Sequence, residues 1–402
     1  MPQFRGRYML PARAVYRSLL PAILAQPKFW TVIPPQFRRY LGANRPDRAQ
    51  RVSQVSIRCT DLCDLRCRTC GQWGENGWLL AKQRRGEKLD SMSEETALRI
   101  VRETKRDHPF YYIWGGEPTL WKPLLPFFEE LGRHNLLGEV VTNCHALEPL
   151  IEPLIDTGGV AAILVSLDGW DAESQNLLRT PASGRQSDNY QRTMRAIRKI
   201  DAYKRKKGLR FPLIVPITVI SNLNHPHLAE IHELVRDKTQ IHPYYYGWFI
   251  TEERAREHEL VFESRFGYPP RNHRGYIKSA FNDVDPAFTA QQVKQVFEVA
   301  RGHPSVPAFL PDLNSQDEIQ RYYADHSWTA GYHACHSIYC AAEISPDGQV
   351  TPCRDYQDYT CGNVNERSFY EIWNGAAFKT FRREMRAGLM PVCARCCGLQ
   401  GL

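Results

Sequence analysis

Residues 54–70 read Gln54-Val-Ser-Ile-Arg-Cys59-Thr-Asp-Leu-Cys63-Asp-Leu-Arg-Cys67-Arg-Thr-Cys70. The first six residues predict a short, buried strand at 54–59. Cys63, Cys67 and Cys70 follow on a loop at its C-terminal end with C-x3-C-x2-C spacing. So compact a loop can wrap three thiolates around one [4Fe–4S] cube and leave the fourth iron open to a small chelating molecule. A structural zinc ion normally takes four closed ligands, and Cys59 offers the fourth, so zinc is the alternative reading.

The same rhythm continues outward. Candidate strands at 54–59, 110–115, 138–143, 162–167, 213–220 and 242–247 alternate with helical stretches near 93–106, 121–132, 147–156, 188–206 and 226–237. Strands alternating with amphipathic helices argue for an α/β fold with a parallel sheet and right-handed crossovers. Six units predict a partial (β/α)6 TIM-like barrel over 52–250, with its chemistry at the C-terminal strand ends. Residues 251–331 break the rhythm, with helices expected near 252–265 and 288–301, and read as a lid, an insertion or a linker. Residues 332–402 predict a small cysteine-rich α+β domain, for which metal would compensate a small core.

Cysteine distribution carries more than cysteine count. Of twelve, four lie in Cys59–Cys70 and seven in Cys335–Cys397, leaving Cys144 between. With no run of 18 apolar residues and no secretory leader pattern, the expected location is cytoplasmic, where clustered thiols point to metal or redox chemistry. The net charge of +8 is local: residues 1–51 hold ten Lys/Arg against one acid, so the rest is close to neutral. That arm reads as a solvated basic extension packing over the barrel. Its alternative is weak docking to an acidic membrane surface, through Leu19, Leu20, Ile23 and Leu24 beside Arg13 and Arg17. A body without surplus charge gives no reason to expect nucleic-acid binding.

The cysteine loop, followed at the next strand end by Trp114-Gly115-Gly116-Glu117-Pro118, resembles the signature of the radical S-adenosylmethionine superfamily. Glycines permit close backbone approach and a carboxylate suits an ammonium. The resemblance implies that Gly115, Gly116 and Glu117 receive the methionine amino group. Further along, Thr142-Asn143-Cys144 and Ser166-Leu-Asp168-Gly169 resemble the family's strand-three and strand-four ends. Asn143, Ser166 and Arg179 are thereby implied in cofactor binding, although Asn143 and Asp168 are equally well explained as turn residues. Two departures stand out: Cys144 replaces a glycine, and Thr69 replaces an aromatic residue near the adenine. The implied chemistry is one-electron cleavage of S-adenosylmethionine to a 5′-deoxyadenosyl radical that abstracts a substrate hydrogen. A reducing partner such as flavodoxin or ferredoxin goes with it.

Toward the C-terminus, Cys335-x12-Gly348-x4-Cys353 reads as a hairpin turning at Pro346-Asp347-Gly348, with Cys393-Ala-Arg-Cys396 closing a fourfold set. This resembles the SPASM/twitch extension. It implies one auxiliary [4Fe–4S] cluster on Cys335, Cys353, Cys393 and Cys396, with zinc on the same thiolates as the alternative. Cys340, Cys361 and Cys397 are spare. His242-Pro-Tyr-Tyr-Tyr-Gly-Trp248 is expected to turn one aromatic face into the barrel, and Asp168 and Glu252 are candidate proton acceptors. The substrate is read as a small molecule of carbohydrate-like character; peptide side-chain modification is the alternative. A non-catalytic metal-stapled binding protein is the alternative of another class.

Overall fold

The computed structural model describes residues 49, 51–313 and 315–400. Apart from Ala49 and Arg51, the basic arm expected over 1–51 lies outside the described residues. The strands are β1 (Gln54–Arg58), β2 (Phe110–Trp114), β3 (Leu137–Thr142), β4 (Val160–Ser166), β5 (Leu213–Val219), β6 (Ile241–Tyr245), β7 (Val306–Leu310), β8 (Ala341–Ile344), β9 (Gln349–Thr351) and β10 (Gly362–Asn363). The main helices are α1 (Trp78–Arg84), α2 (Glu94–Thr104), α3 (Leu124–Arg133), α4 (Ile151–Asp156), α5 (Ala172–Leu178), α6 (Asn189–Lys207), α7 (Leu228–Glu233), α8 (Glu252–Phe266), α9 (Pro286–Val299), α10 (Gln316–Ala324), α11 (Phe369–Trp373) and α12 (Ala376–Ala387).

All strands join one sheet in the order β10-β9-β8-β1-β2-β3-β4-β5-β6-β7. From β1 to β7 every pairing is parallel, as helical crossovers demand. Both faces are covered, so successive residues alternate between two apolar clusters. On β2, Tyr111 and Ile113 pack outward with Phe127, Phe128, Ile197 and Ile200. Phe110 and Tyr112 instead join Leu137, Leu164 and Leu213 inside the barrel. Each such buried side chain contributes about 1.5–3 kcal/mol relative to exposure.

Two features extend the six-unit expectation. The stretch after 250 carries a seventh parallel strand, β7, beside β6. By sequence this stretch reads as a lid, an insertion or a linker; β7 stands at the sheet edge, where Pro307, which cannot donate to a ladder, is tolerated. The C-terminal hairpin is also continuous with the barrel sheet. β8 pairs in parallel with β1, and β9 turns back antiparallel at Gly348, whose φ of +87° favours glycine. That pairing covers the β1 edge. Among the described residues no helix is long and apolar enough to cross a membrane.

Candidate functional site

The cysteine loop leaves β1 under restraint on two sides. On one side, Gly116 N donates to Thr60 O and Glu117 N to Leu62 O, each at 2.8 Å. A Cβ on Gly116 would sit 2.1 Å from the Leu62 carbonyl oxygen, and one on Gly115 2.6 Å from that of Thr60. The close approach these glycines permit is thus to the cysteine loop itself. On the other side, Arg66 N donates to Thr180 O at 2.7 Å and Arg68 N to Leu178 O at 3.0 Å. Asp61, 1% exposed, pairs with Arg58 and, at 3.0 Å, with Lys82. Arg66 donates to the Cys63 and Leu65 carbonyls at 2.9 Å and lies 3.9 Å over the Trp73 ring. These contacts fix the shape of the loop from both sides.

Cys63, Cys67 and Cys70 line one cavity of about 240 Å³ together with Gly115, Gly116, Glu117, Asn143, Ser166 and Arg179. The residues expected from four different strand ends therefore converge. Cys70 Sγ accepts from the Gln72 and Trp73 amides at 3.4 and 3.3 Å. Arg179 Nη1 lies 3.6 Å from Cys67 Sγ, and Asn143 Nδ2 3.9 Å from Cys63 Sγ. Burial pushes the Cys67 thiol up to about 12 and raises Cys63 well above the usual range, so thiolates here need a compensating cation. Among the described residues, the His/Cys/Asp/Glu group close enough to share a single ion contains no cysteine. A mononuclear zinc with bonds of about 2.3 Å would draw its thiolates closer than a cubane does.

Glu117 is 1% exposed, and burial raises its pKa against the bonds that hold it ionised. Its Oε1 accepts from Thr119 N, Thr119 Oγ1 and Thr142 Oγ1, and its Oε2 from Asn143 N at 2.7 Å. Oε2 thus keeps a lone pair for an ammonium. Arg179 follows α5 and is ion-paired with Asp168 at 2.6 Å, while its Nε is buried without a partner. An unmatched donor beside the thiols suits an incoming carboxylate. Cys144, the departure from glycine, has φ of +65°, the conformation that makes glycine the easier residue here.

Two expected proton acceptors stand elsewhere. Asp168 is absent from the cavity lining; its Oδ2 is taken by Arg179 and its Oδ1 by Val219 N at 2.9 Å, so it positions Arg179. Glu252 is exposed in the first turn of α8 and does not line the cavity. In the β6 aromatic run, Tyr245 and Trp248 line the cavity, whereas Tyr244 and Tyr246 pack into the core with Phe309.

Residues from the C-terminal part complete the cavity: Arg354, Asp355 and Cys397, with Tyr276 from the connecting segment. The Arg354 guanidinium lies 4.2 Å over the Tyr112 ring. Asp355 Oδ2 accepts from Cys397 N at 3.1 Å, with the Cys397 thiol also 3.1 Å away. Burial, then Asp355, raises the Cys397 thiol well above its usual pKa. Sequence reasoning missed Arg354 and Asp355; their signal was adjacency to Cys353.

The second cysteine set also converges. Cys335, Cys353 and Cys396 line a pocket of about 30 Å³ under β8. Burial raises Cys353, followed by the neighbouring Cys393 and Cys335; Cys396 is raised by burial, with Asp355, Cys397, Cys393 and Cys353 adding to it. Four neighbouring thiols, Cys396 buried and the other three half-buried, suit a metal cluster. Cys340 and Cys361 are buried in packing positions.

Residues 57–235 match the radical SAM superfamily, and residues 335–397 match SPASM, an iron–sulfur cluster-binding domain. No curated protein matches the chain. Among solved structures, Streptococcus suis SuiB bound to S-adenosylmethionine is similar at TM-score 0.56 and 16% identity, covering 83% of this chain and 68% of that one. SuiB bound to precursor peptide SuiA is similar at TM-score 0.57 and 15% identity, covering 85% and 69%. With the cysteine loop, the Gly-Gly-Glu-Pro segment and the thiol-rich hairpin in place on that fold, the chain belongs to the radical S-adenosylmethionine superfamily, an enzyme class that uses S-adenosylmethionine on a [4Fe–4S] cluster, and it carries a C-terminal SPASM domain for auxiliary iron–sulfur chemistry.

Proposed function

We propose that the enzyme abstracts hydrogen from a compact, polar, hydroxyl-bearing small molecule and oxidises it. The observation that carries this reading is one cavity lined both by the cofactor-side residues and by Arg354, Asp355, Tyr245 and Trp248. Cluster and S-adenosylmethionine would occupy the side lined by Cys63, Cys67, Cys70 and Glu117, which leaves Arg354, Asp355, Tyr245 and Trp248 as the walls that face a substrate. Aromatic walls with one Arg and one Asp match a carbohydrate-like molecule, whose C–H faces lie on rings and whose hydroxyls need charged partners.

In this proposal Cys63, Cys67 and Cys70 hold the cluster, and Cys335, Cys353, Cys393 and Cys396 hold the auxiliary one. Glu117 Oε2 receives the methionine ammonium, and Arg179, fixed by Asp168 and with Ser166 beside it, receives the carboxylate. Bound together, cluster and S-adenosylmethionine supply a 5′-deoxyadenosyl radical. Arg354 orients the substrate, Asp355 accepts the hydroxyl proton, the auxiliary cluster, when bound, would take the second electron of the oxidation, and Trp114, Trp248 and Tyr276 exclude water. A one-electron donor such as flavodoxin or ferredoxin completes the partners.

The test is anaerobic deoxyadenosine formation with dithionite, using substrates deuterated at carbinol carbon. Deuterium transferred from polyols or sugars into deoxyadenosine, and lost in Arg354→Ala while slow uncoupled cleavage continues, is the expected result. Transfer from peptides alone would replace this reading with peptide modification. No deoxyadenosine from iron-replete protein would defeat the radical reading.

A further inference from the structure

Behind the cysteine loop lies a second group of potential ligands that neither iron–sulfur site uses. His258 on α8, His273 in the turn 272–276 and Asp358 in the loop after β9 bring their ligand atoms within 4.8 Å of one another. His258 is 2% exposed and His273 is fully buried. Both ring nitrogens of His258, Nδ1 of His273 and Oδ2 of Asp358 are buried without a partner. Buried polar atoms are mostly paired in native interiors, and four unmatched ones that face one another point to a shared partner.

The other atoms of these side chains are already committed, in the pattern a metal requires. His273 Nε2 lies 3.0 Å from Glu259 Oε1, which also accepts from Arg274 at 2.6 Å. A proton on Nε2 donated to Glu259 leaves the Nδ1 lone pair free, the carboxylate–histidine arrangement that orients metal-binding imidazoles. Asp358 Oδ1 accepts from the Arg271 and Asn272 amides at 2.7 and 2.9 Å, which turns Oδ2 toward the histidines.

We propose that His258, His273 and Asp358 bind one zinc ion, distinct from both iron–sulfur sites, as a structural clamp. Two imidazoles and a carboxylate suit zinc, with a water completing the tetrahedron, a more open set than the four protein ligands usual where zinc only holds segments together. The ion ties three segments that are separate in sequence. The 272–276 turn presses on the cysteine loop, where a Cβ on Gly275 would lie 2.0 Å from the Gly71 carbonyl oxygen. Asp358 closes the loop that carries Cys353, Arg354 and Asp355.

Zinc quantification and zinc K-edge absorption on the intact, iron-loaded protein test this. One zinc per chain is expected, with nitrogen and oxygen neighbours at about 2.0–2.1 Å and no sulfur near about 2.3 Å. Asp358→Asn and His258→Ala should each lose the zinc while retaining iron. Protein that stays zinc-free after incubation with equimolar zinc overturns the proposal, as does zinc with sulfur neighbours. The absorption measurement needs no variant, so it decides the matter even where a substitution misfolds. Iron content and deoxyadenosine formation are read separately, so the radical assignment stands or falls independently.

Discussion

At the scale of single residues, the site depends on buried charges that hold one another. Asp168 and Arg179 form such a pair, and breaking one typically costs about 3–5 kcal/mol. Asp168→Asn should therefore lower the unfolding midpoint and weaken S-adenosylmethionine binding several-fold in equilibrium dialysis, while iron content is kept. Glu343 gives a pH signature. It is 2% exposed, accepts from Trp114 Nε1 at 2.8 Å, and burial raises its pKa to about 7. The folded state then binds its proton more tightly than the unfolded state. Stability contributed by the neutral carboxyl is present at low pH and is lost as pH rises from the ordinary carboxylate range through about 7. Glu343→Gln should raise stability by about 3 kcal/mol at pH 8 and by less than about 1 kcal/mol at pH 5. Unfolding midpoints of both proteins at the two pH values check this; equal effects at both would refute the burial argument.

Among elements, α5 matters most to the site for its length. Asp171 caps it through a box with Ser174, and the helix delivers Gln175 and Arg179. Gln175 Oε1 accepts from the Asp168 and Gly169 amides at 2.9 and 2.8 Å, so the helix fixes the end of β4. Asp171→Ala should cost about 1 kcal/mol in thermal stability. Gln175→Ala should cost more, about 1–3 kcal/mol for each amide left unmet, and should raise the KM for S-adenosylmethionine in steady-state assays. The segment 115–117 works by absence of side chain. Gly116→Val should lose the cysteine-loop cluster, read as a fall in iron per chain, because its Cβ meets a backbone carbonyl that cannot move alone.

For the whole molecule, the decisive feature is the parallel join of β8 to β1. A chain ended at residue 331 would expose the β1 edge and the core around Ile57, and should elute as aggregate in size-exclusion chromatography. Elution as a folded monomer would make the C-terminal part an independent appendage. Much of the architecture was legible beforehand, because strand and helix periodicities are local properties of the chain. The loop spacing of Cys63, Cys67 and Cys70 was equally local, as was the C-terminal hairpin turning at Gly348. The sheet alone decided which residues face the cavity: Asp168 turned to Arg179, Glu252 to solvent, and Arg354 and Asp355 arrived from far downstream of β2. β7 lies within the stretch that reads as a lid, an insertion or a linker, because its place beside β6 is set by pairing between segments separate along the chain. What the sequence by itself carried was the cofactor chemistry, through the resemblance of the cysteine loop and the Gly115-Gly116-Glu117-Pro118 segment to a known family, since both motifs are short and local. The tertiary structure decided the substrate-side walls and the His258–His273–Asp358 cluster, since both arise where segments distant along the chain meet.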